Sequence, residues 1–156
     1  MPSSINYEEA TEKEIMWLID QLRMKHFDTA VLSGKRIVFA RGRWTEIFAV
    51  DGKSFNIYES SKRRPYSMGL LIGELKRELK PSLSIAKYCE NQMHIKDSQV
   101  NSITYGKDPE QEVKGLLEGD FFVFVNNHGE ALGYGKIKKG KARNTRDLGW
   151  YIREGK

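Results

Sequence analysis

The chain has one cysteine, Cys89, and only four prolines and three histidines among its 156 residues. A single thiol excludes an internal disulfide and fits a reducing, cytoplasmic setting. Its apolar surroundings suggest an ordinary buried thiol. The histidines His26, His94 and His128 fall in three separate stretches. None has a second ligand at helical or Cys-x-x-Cys spacing, so no metal site is expected. No apolar run approaches the roughly 18 residues of a membrane helix, and the acidic N-terminus has no apolar signal core, so no membrane contact or secretion is expected. The Walker phosphate-loop pattern is missing, and Gly133-x-Gly135 does not lead from a strand into a helix, so no nucleotide or other cofactor is expected. Asp51 and Asp97 are isolated acids with structural explanations, a turn and a helix cap. No catalytic constellation stands out, and the expectation is a protein that is not an enzyme.

What is present is a folded globular composition, 39% hydrophobic and 30% charged. The net charge of +5 is unevenly spread. From Lys136 onward eight basic and two acidic residues give +6, which leaves −1 for the other 135 residues. Six of these cations, Lys136, Lys138, Lys139, Lys141, Arg143 and Arg146, fall within eleven positions. A one-sided basic patch is the footprint of a polyanionic partner. The alternative is a solvated lysine-rich loop that blocks edge pairing.

Along the chain, residues 1–10 are polar and expected to fray. Thr11 and Glu14 form a capping-box pattern. Ile15, Leu18, Ile19 and Leu22 then make one apolar stripe, which predicts a helix over Thr11–Lys25. Met16 and Trp17 flank that stripe and are expected to fill core. From Thr29 to Tyr58 the period changes to two. Ala30–Leu32, Arg36–Ala40, Trp44–Val50 and Ser54–Tyr58 are predicted strands of an antiparallel meander, with hairpin turns at Ser33-Gly34 and Asp51-Gly52. Lys62-Arg63-Arg64 reads as a phosphate contact or a soluble loop tip, the second preferred. Leu70-Leu71-Ile72 reads as a short buried strand, although the stripe Met68, Ile72, Leu75, Leu79 would suit a helix equally well. Pro81-Ser82 starts a helix with Leu83, Ile85 and Ala86 inward. The polar Glu90-Asn91-Gln92 marks a boundary between domains 1–91 and 92–156.

The second domain is organised around Gly119–Ile137. Phe121–Val125 is apolar at every position, which predicts a strand buried on both faces. Asn126-Asn127-His128-Gly129 is the turn into Ala131–Ile137, and Gly149–Ile152 is a closing strand. A basic loop is expected between the last strands.

Four segments carry a family likeness: MHIKD (Met93–Asp97), SQVNSITYG (Ser98–Gly106), EGD (Glu118–Asp120) and GEALGYGKI (Gly129–Ile137). Met93–Lys156 resembles the PUA domain, named after pseudouridine synthases and archaeosine transglycosylases. Lys107–Leu117 departs from the family pattern in being short and acidic. Upstream, Pro65, Tyr66, Ser67, Gly69, Gly73, Glu74, Pro81, Ser82 and Leu83 are similar to a motif of the Nip-seven-like, archaeal and eukaryotic large-ribosomal-subunit biogenesis factors, which join a pre-PUA α/β domain to a PUA domain. The resemblance implies an α+β chain: an N-terminal antiparallel sheet with helices, followed by a PUA-type β-barrel. It also implies a non-catalytic RNA-binding protein acting on ribosomal RNA, with tRNA as a second candidate, among ribosome-assembly or exosome-type proteins. The expected RNA contacts are Lys136, Lys138, Lys139, Lys141, Arg143, Arg146, Tyr105, Gly106 and Lys107. Tyr105, Tyr134 and Tyr151 are candidates for base stacking, against the commoner case of burial. Two other classes remain open: a protein-binding adaptor subunit of an RNA-processing or RNA-modification complex, and a small RNA-modifying enzyme.

Overall fold

The computed structural model describes residues 5–53, 69–111, 113 and 115–147. Thr11 and Glu14 exchange both bonds of the capping box, Thr11 N–H to Glu14 Oε1 at 3.1 Å and Glu14 N–H to Thr11 Oγ1 at 3.2 Å. The helix they start, α1, runs Glu12–Met24. Leu18 and Leu22 of its stripe are fully buried. Trp17 is half-buried, whereas Met16, expected in the core, is 67% exposed. It lies off the stripe and on the water side of the helix.

Ahead of the helix, four of the residues expected to fray, Asn6–Glu9, form a strand. β1 (Asn6–Glu9) pairs antiparallel with β2 (Arg36–Arg41), with Tyr7 buried opposite Ala40. Long-range pairing supplies what the polar segment lacks in propensity. A second correction concerns Ala30–Leu32, which belongs to a 3-10 helix, Thr29–Leu32, rather than a strand. Asp28 caps it by accepting from the Ala30 N–H at 2.9 Å, a local bond that outweighs the β-branched composition. β3 (Thr45–Val50) follows as expected, but Gly52 and Lys53 are helical, so Asp51-Gly52 is not a hairpin turn.

The next described strand, β4 (Leu70–Leu75), pairs with β3, and β5 (Leu79–Pro81) pairs with β4. Among the described residues the sheet thus has five antiparallel strands in chain order. This settles Leu70–Leu75 as strand rather than helix. Gly73 sits where a Cβ would lie 2.2 Å from the Lys80 carbonyl oxygen, so no other residue fits without a shift. A 3-10 helix, Leu83–Tyr88, buries Ile85 and Ala86. Both faces of the central strands are covered: Val38, Ala40, Phe48 and Val50 cluster with Tyr7, and the alternating Ile37, Phe39, Ile47 and Ala49 are buried as well.

The chain divides into two compact units, one drawn from Met1–Arg23 and Asp28–Tyr88, the other from Met24–Phe27 and Cys89–Lys156. In the second, β6 (Gln92–His94) runs parallel to β7 (Phe121–Val125). β8 (Ala131–Lys138) and β9 (Lys141–Asp147) continue antiparallel, in the order β6-β7-β8-β9. Helix α2 spans Asp97–Thr104. Its N-cap is Lys96. Asp97, expected as the cap, instead accepts from Asn127 Nδ2 at 2.7 Å.

Every residue of β7 is buried. Phe122 and Phe124 pack with Met93, Ile95, Ile103 and Ile137 on one face. On the other, Phe121 and Tyr134 meet Phe27, with ring centroids 5.1–6.0 Å apart. That contact explains why Met24–Phe27 groups with this unit. Glu90 N–H donates to the His26 carbonyl at 2.8 Å and holds the segment in place. Cys89 is buried here, and burial pushes its thiol up to about 11. Four sequence-based expectations, the strand Ser54–Tyr58, the loop Lys62–Arg64, the motif residues Pro65–Ser67 and the closing strand Gly149–Ile152 with Tyr151, lie outside the described residues. None of the described helices is long and apolar enough to cross a membrane.

Candidate nucleic-acid interface

The cations expected in a loop are instead carried mainly by strands. Lys136 and Lys138 belong to β8, Lys141, Arg143 and Arg146 to β9, and Lys139 alone, with Gly140, makes the turn. Lysines in series have weak strand propensity, which favours the loop reading; pairing with β8 overrides it. Both turn residues have positive φ, 52° at Lys139 and 71° at Gly140, the signature of the two-residue type I′ hairpin.

The turn is held from outside by Glu118. Its carboxylate accepts from the Lys139 N–H at 2.8 Å and the Gly140 N–H at 3.1 Å. Those two backbone bonds, that from Gly140 the larger influence, hold its carboxyl below the ordinary 4.5.

Register sets where the charges point. Lys136 faces Arg143 and Lys138 faces Lys141 across the ladder, while Arg146 stands opposite Tyr134. The two-residue turn sets the register of the first two pairs, and a bulge between Tyr134 and Gly135 shifts the ladder beyond them so that Arg146 meets Tyr134. Alternation then sets Lys136, Lys138, Lys141 and Arg143 on the face of Tyr134, away from Ile137 and Ala142 in the core. Like charges directly opposite one another destabilise a ladder, which applies here to Lys138 and Lys141; at Arg143 the carboxylate of Asp108 offsets it. The side chain of Arg146 lies outside the described ones.

Arg143 differs from the lysines. Its Nη1 donates to Asp108 Oδ2 at 2.8 Å, while Asp108 Oδ1 accepts from the Asn144 N–H at 2.8 Å. Partial burial works against the charge on Asp108. The bonds from Arg143 and Asn144 and the nearby guanidinium charge outweigh it, and hold the carboxyl below its ordinary 3.8.

The end of α2 is brought to the same place. Gly106, at φ 84°, terminates the helix: its N–H returns to the Ile103 carbonyl at 3.0 Å and that of Lys107 to the Ser102 carbonyl at 2.8 Å. This is a Schellman ending, with Gly106 in the left-handed position that glycine takes most readily. Asn144 Nδ2 then donates to the carbonyls of Ile103 at 3.0 Å and Lys107 at 3.2 Å. The turn Tyr105-Gly106-Lys107 is thereby fastened beside β9. Tyr105 is 76% exposed and Lys107 is exposed, whereas Tyr134 is 1% exposed and unavailable for stacking. A surface groove of about 370 Å³ opens between Asp108–Gln111 and Lys141–Arg143.

By backbone position all nine expected contacts therefore lie on one hairpin and the turn fastened to its outer strand. Glu118, Asp108 and Asn144, which organise them, were not legible. Their partners lie 21 to 41 residues away in the chain, and no local spacing encodes them.

No family model matches this sequence, and no curated protein matches it either. Solved structures do match in fold. A conserved PUA domain protein from Thermoplasma acidophilum is similar over 96% of this chain and 99% of its own, with a TM-score of 0.64 and 14% identity. A PUA domain from Aeropyrum pernix K1, determined as a tartrate complex, is similar over 97% of this chain and 92% of its own, with a TM-score of 0.67 and 12% identity. The mixed α+β architecture described above, with its antiparallel pairing and few helices, is thus the fold of PUA domain proteins along nearly the whole chain.

Proposed function

We propose that this protein is a non-catalytic RNA-binding protein of the Nip-seven-like kind. On this reading the two units are the pre-PUA and PUA parts, the closing strand completes a PUA barrel, and the cytoplasm is the working compartment. Ribosomal RNA in large-subunit biogenesis is the favoured target, an inference supported by the motif around Gly69–Leu83 and by the shared fold.

The observation that carries the reading is the run of cations along β8, its turn and β9, with Lys138 set directly opposite Lys141. A ladder that sets cations against cations is relieved by an anion lying along it, and a phosphate backbone supplies anions at regular spacing. Lysine is a mobile point charge that reads little sequence, so binding is weakly sequence-specific. Tyr105 beside Gly106 offers one ring for a base.

The test is fluorescence anisotropy with uridine-rich and mixed single-stranded RNAs across a salt range. Four phosphate contacts give a log–log slope of about −3, at ~0.7 per contact. Replacing Lys138, Lys139, Lys141 and Arg143 together with Ala is expected to remove most of that slope and leave the fold intact. Equal slopes for wild type and variant would sink the proposal. They would favour the second reading, a protein-binding adaptor subunit, to which Met16 and Met24, 67% and 68% exposed on α1, lend support.

A further inference from the structure

Among the described residues two aromatic side chains are exposed, Tyr105 and Trp44. Each belongs to a triplet of one aromatic, one glycine and one cation: Tyr105-Gly106-Lys107 in one unit and Gly42-Arg43-Trp44 in the other. Arg41 pairs with Thr45 at the end of the β2–β3 ladder, so Gly42, Arg43 and Trp44 form the whole hairpin tip. Trp44 is 52% exposed, far from the burial usual for so large a ring. The guanidinium carbon of Arg43 lies 4.7 Å from the Trp44 ring centroid. Arg41, by contrast, is engaged within the fold, bonded to Glu8 at 3.0 Å and to Glu14 of α1. The tip thus presents a broad π-face with a cation stacked on it.

We propose that the Gly42-Arg43-Trp44 tip is a second contact for single-stranded RNA, with a base stacked on the Trp44 indole and a phosphate held by Arg43. The inference rests on the RNA-binding reading above and extends it to the N-terminal sheet. Stacking suits a target that is read loosely, because every base has a π-face. Arg43 supplies both roles the site needs: its plane supports the ring by a cation–π contact, and its charge attracts a phosphate.

The experiment uses the full chain and the same fluorescent RNAs, with Trp44→Ala, Trp44→Phe and Arg43→Ala, each checked for an unchanged melting temperature. Trp44→Ala is expected to weaken binding about tenfold, the loss of one base stack. Trp44→Phe, which keeps a ring, retains most of the affinity. Arg43→Ala lowers the salt slope by about 0.7. Saturating RNA quenches the part of the indole emission that is missing from Trp44→Phe. If Trp44→Ala binds RNA as wild type does, while the four-residue hairpin variant has lost binding, this inference fails and the RNA-binding reading stands; the exposed ring then belongs to a protein contact, where Trp and Arg are also favoured. If wild type binds no RNA, both fail.

Discussion

Arg143 is bonded to Asp108 at 2.8 Å across thirty-five residues of chain. The pair ties the outer strand of the basic hairpin to the segment leaving α2, and it occupies the one arginine of the hairpin whose side chain is described. A phosphate arriving at Arg143 must displace Asp108 or share the guanidinium with it. Asp108→Asn frees the guanidinium while keeping an oxygen for the Asn144 N–H. The expected result is tighter RNA binding, because a phosphate at Arg143 no longer competes with the Asp108 carboxylate. Stability falls little, because exposed ion pairs contribute only about 0.2–1 kcal/mol. An unchanged affinity would show that Arg143 takes no part in binding.

Acid should loosen the interface before it unfolds the units. Asp108 and Glu118 both have folded carboxyls below their ordinary values of 3.8 and 4.5. A depressed acid contributes stability that is fully present above its unfolded pKa and is lost as pH falls through the folded one. The window therefore opens below about 4.5 for Glu118 and below about 3.8 for Asp108. Amide resonances of Lys139 and Gly140 should shift with the first and that of Asn144 with the second. Glu118→Gln should abolish the first titration and leave the second. If Lys139 and Gly140 titrate unchanged in that variant, the role given to Glu118 is wrong.

Gly135 touches the inner face of the same hairpin. A Cβ there would lie 2.6 Å from Phe122 Cζ and 2.8 Å from Phe124 Cζ, two rings already packed edge to face at 4.9 Å. Gly135→Ala is expected to destabilise by about 1–3 kcal/mol through overpacking. At about 2–4 °C per kcal/mol for a chain of this size, thermal melting resolves the loss easily. A melting temperature equal to wild type would mean that the rings have room to shift.

Phe27 tests the grouping of Met24–Phe27 with the C-terminal unit. It is 4% exposed and covers Phe121 and Tyr134. Phe27→Ala should cost about 3–5 kcal/mol. Its signature is where protection from hydrogen exchange is lost: in β7 and β8, nearly a hundred residues downstream, before β2 and β3. Loss confined to β2 and β3 would contradict the assignment.

Much of this molecule was legible in one dimension. The capping box at Thr11 and Glu14, the apolar β7 and the hairpins β2–β3 and β7–β8 follow from periodicity, turn residues and caps, whereas Leu70–Ile72 suited strand and helix alike until β3 paired with it. The former are interactions between residues close in the chain, so spacing records them. The grouping of six cations near the C-terminus was equally plain, since charge is a property of composition.

What the sequence could not decide depended on partners far away in the chain. Asn6–Glu9 is a strand because β2 offers an edge, Thr29–Leu32 coils because Asp28 caps it, and the lysines lie in strands because β8 and β9 pair. Phe27 joins the distant sheet because Phe121 and Tyr134 leave a face to cover. Asp108, Glu118 and Asn144 looked like ordinary surface polar residues until folding brought them to a guanidinium, a turn and a helix end. Local propensity is worth tenths of a kcal/mol per residue, whereas burial of a large side chain is worth about 1.5–3 kcal/mol. Where the two disagreed in this chain, tertiary contact prevailed.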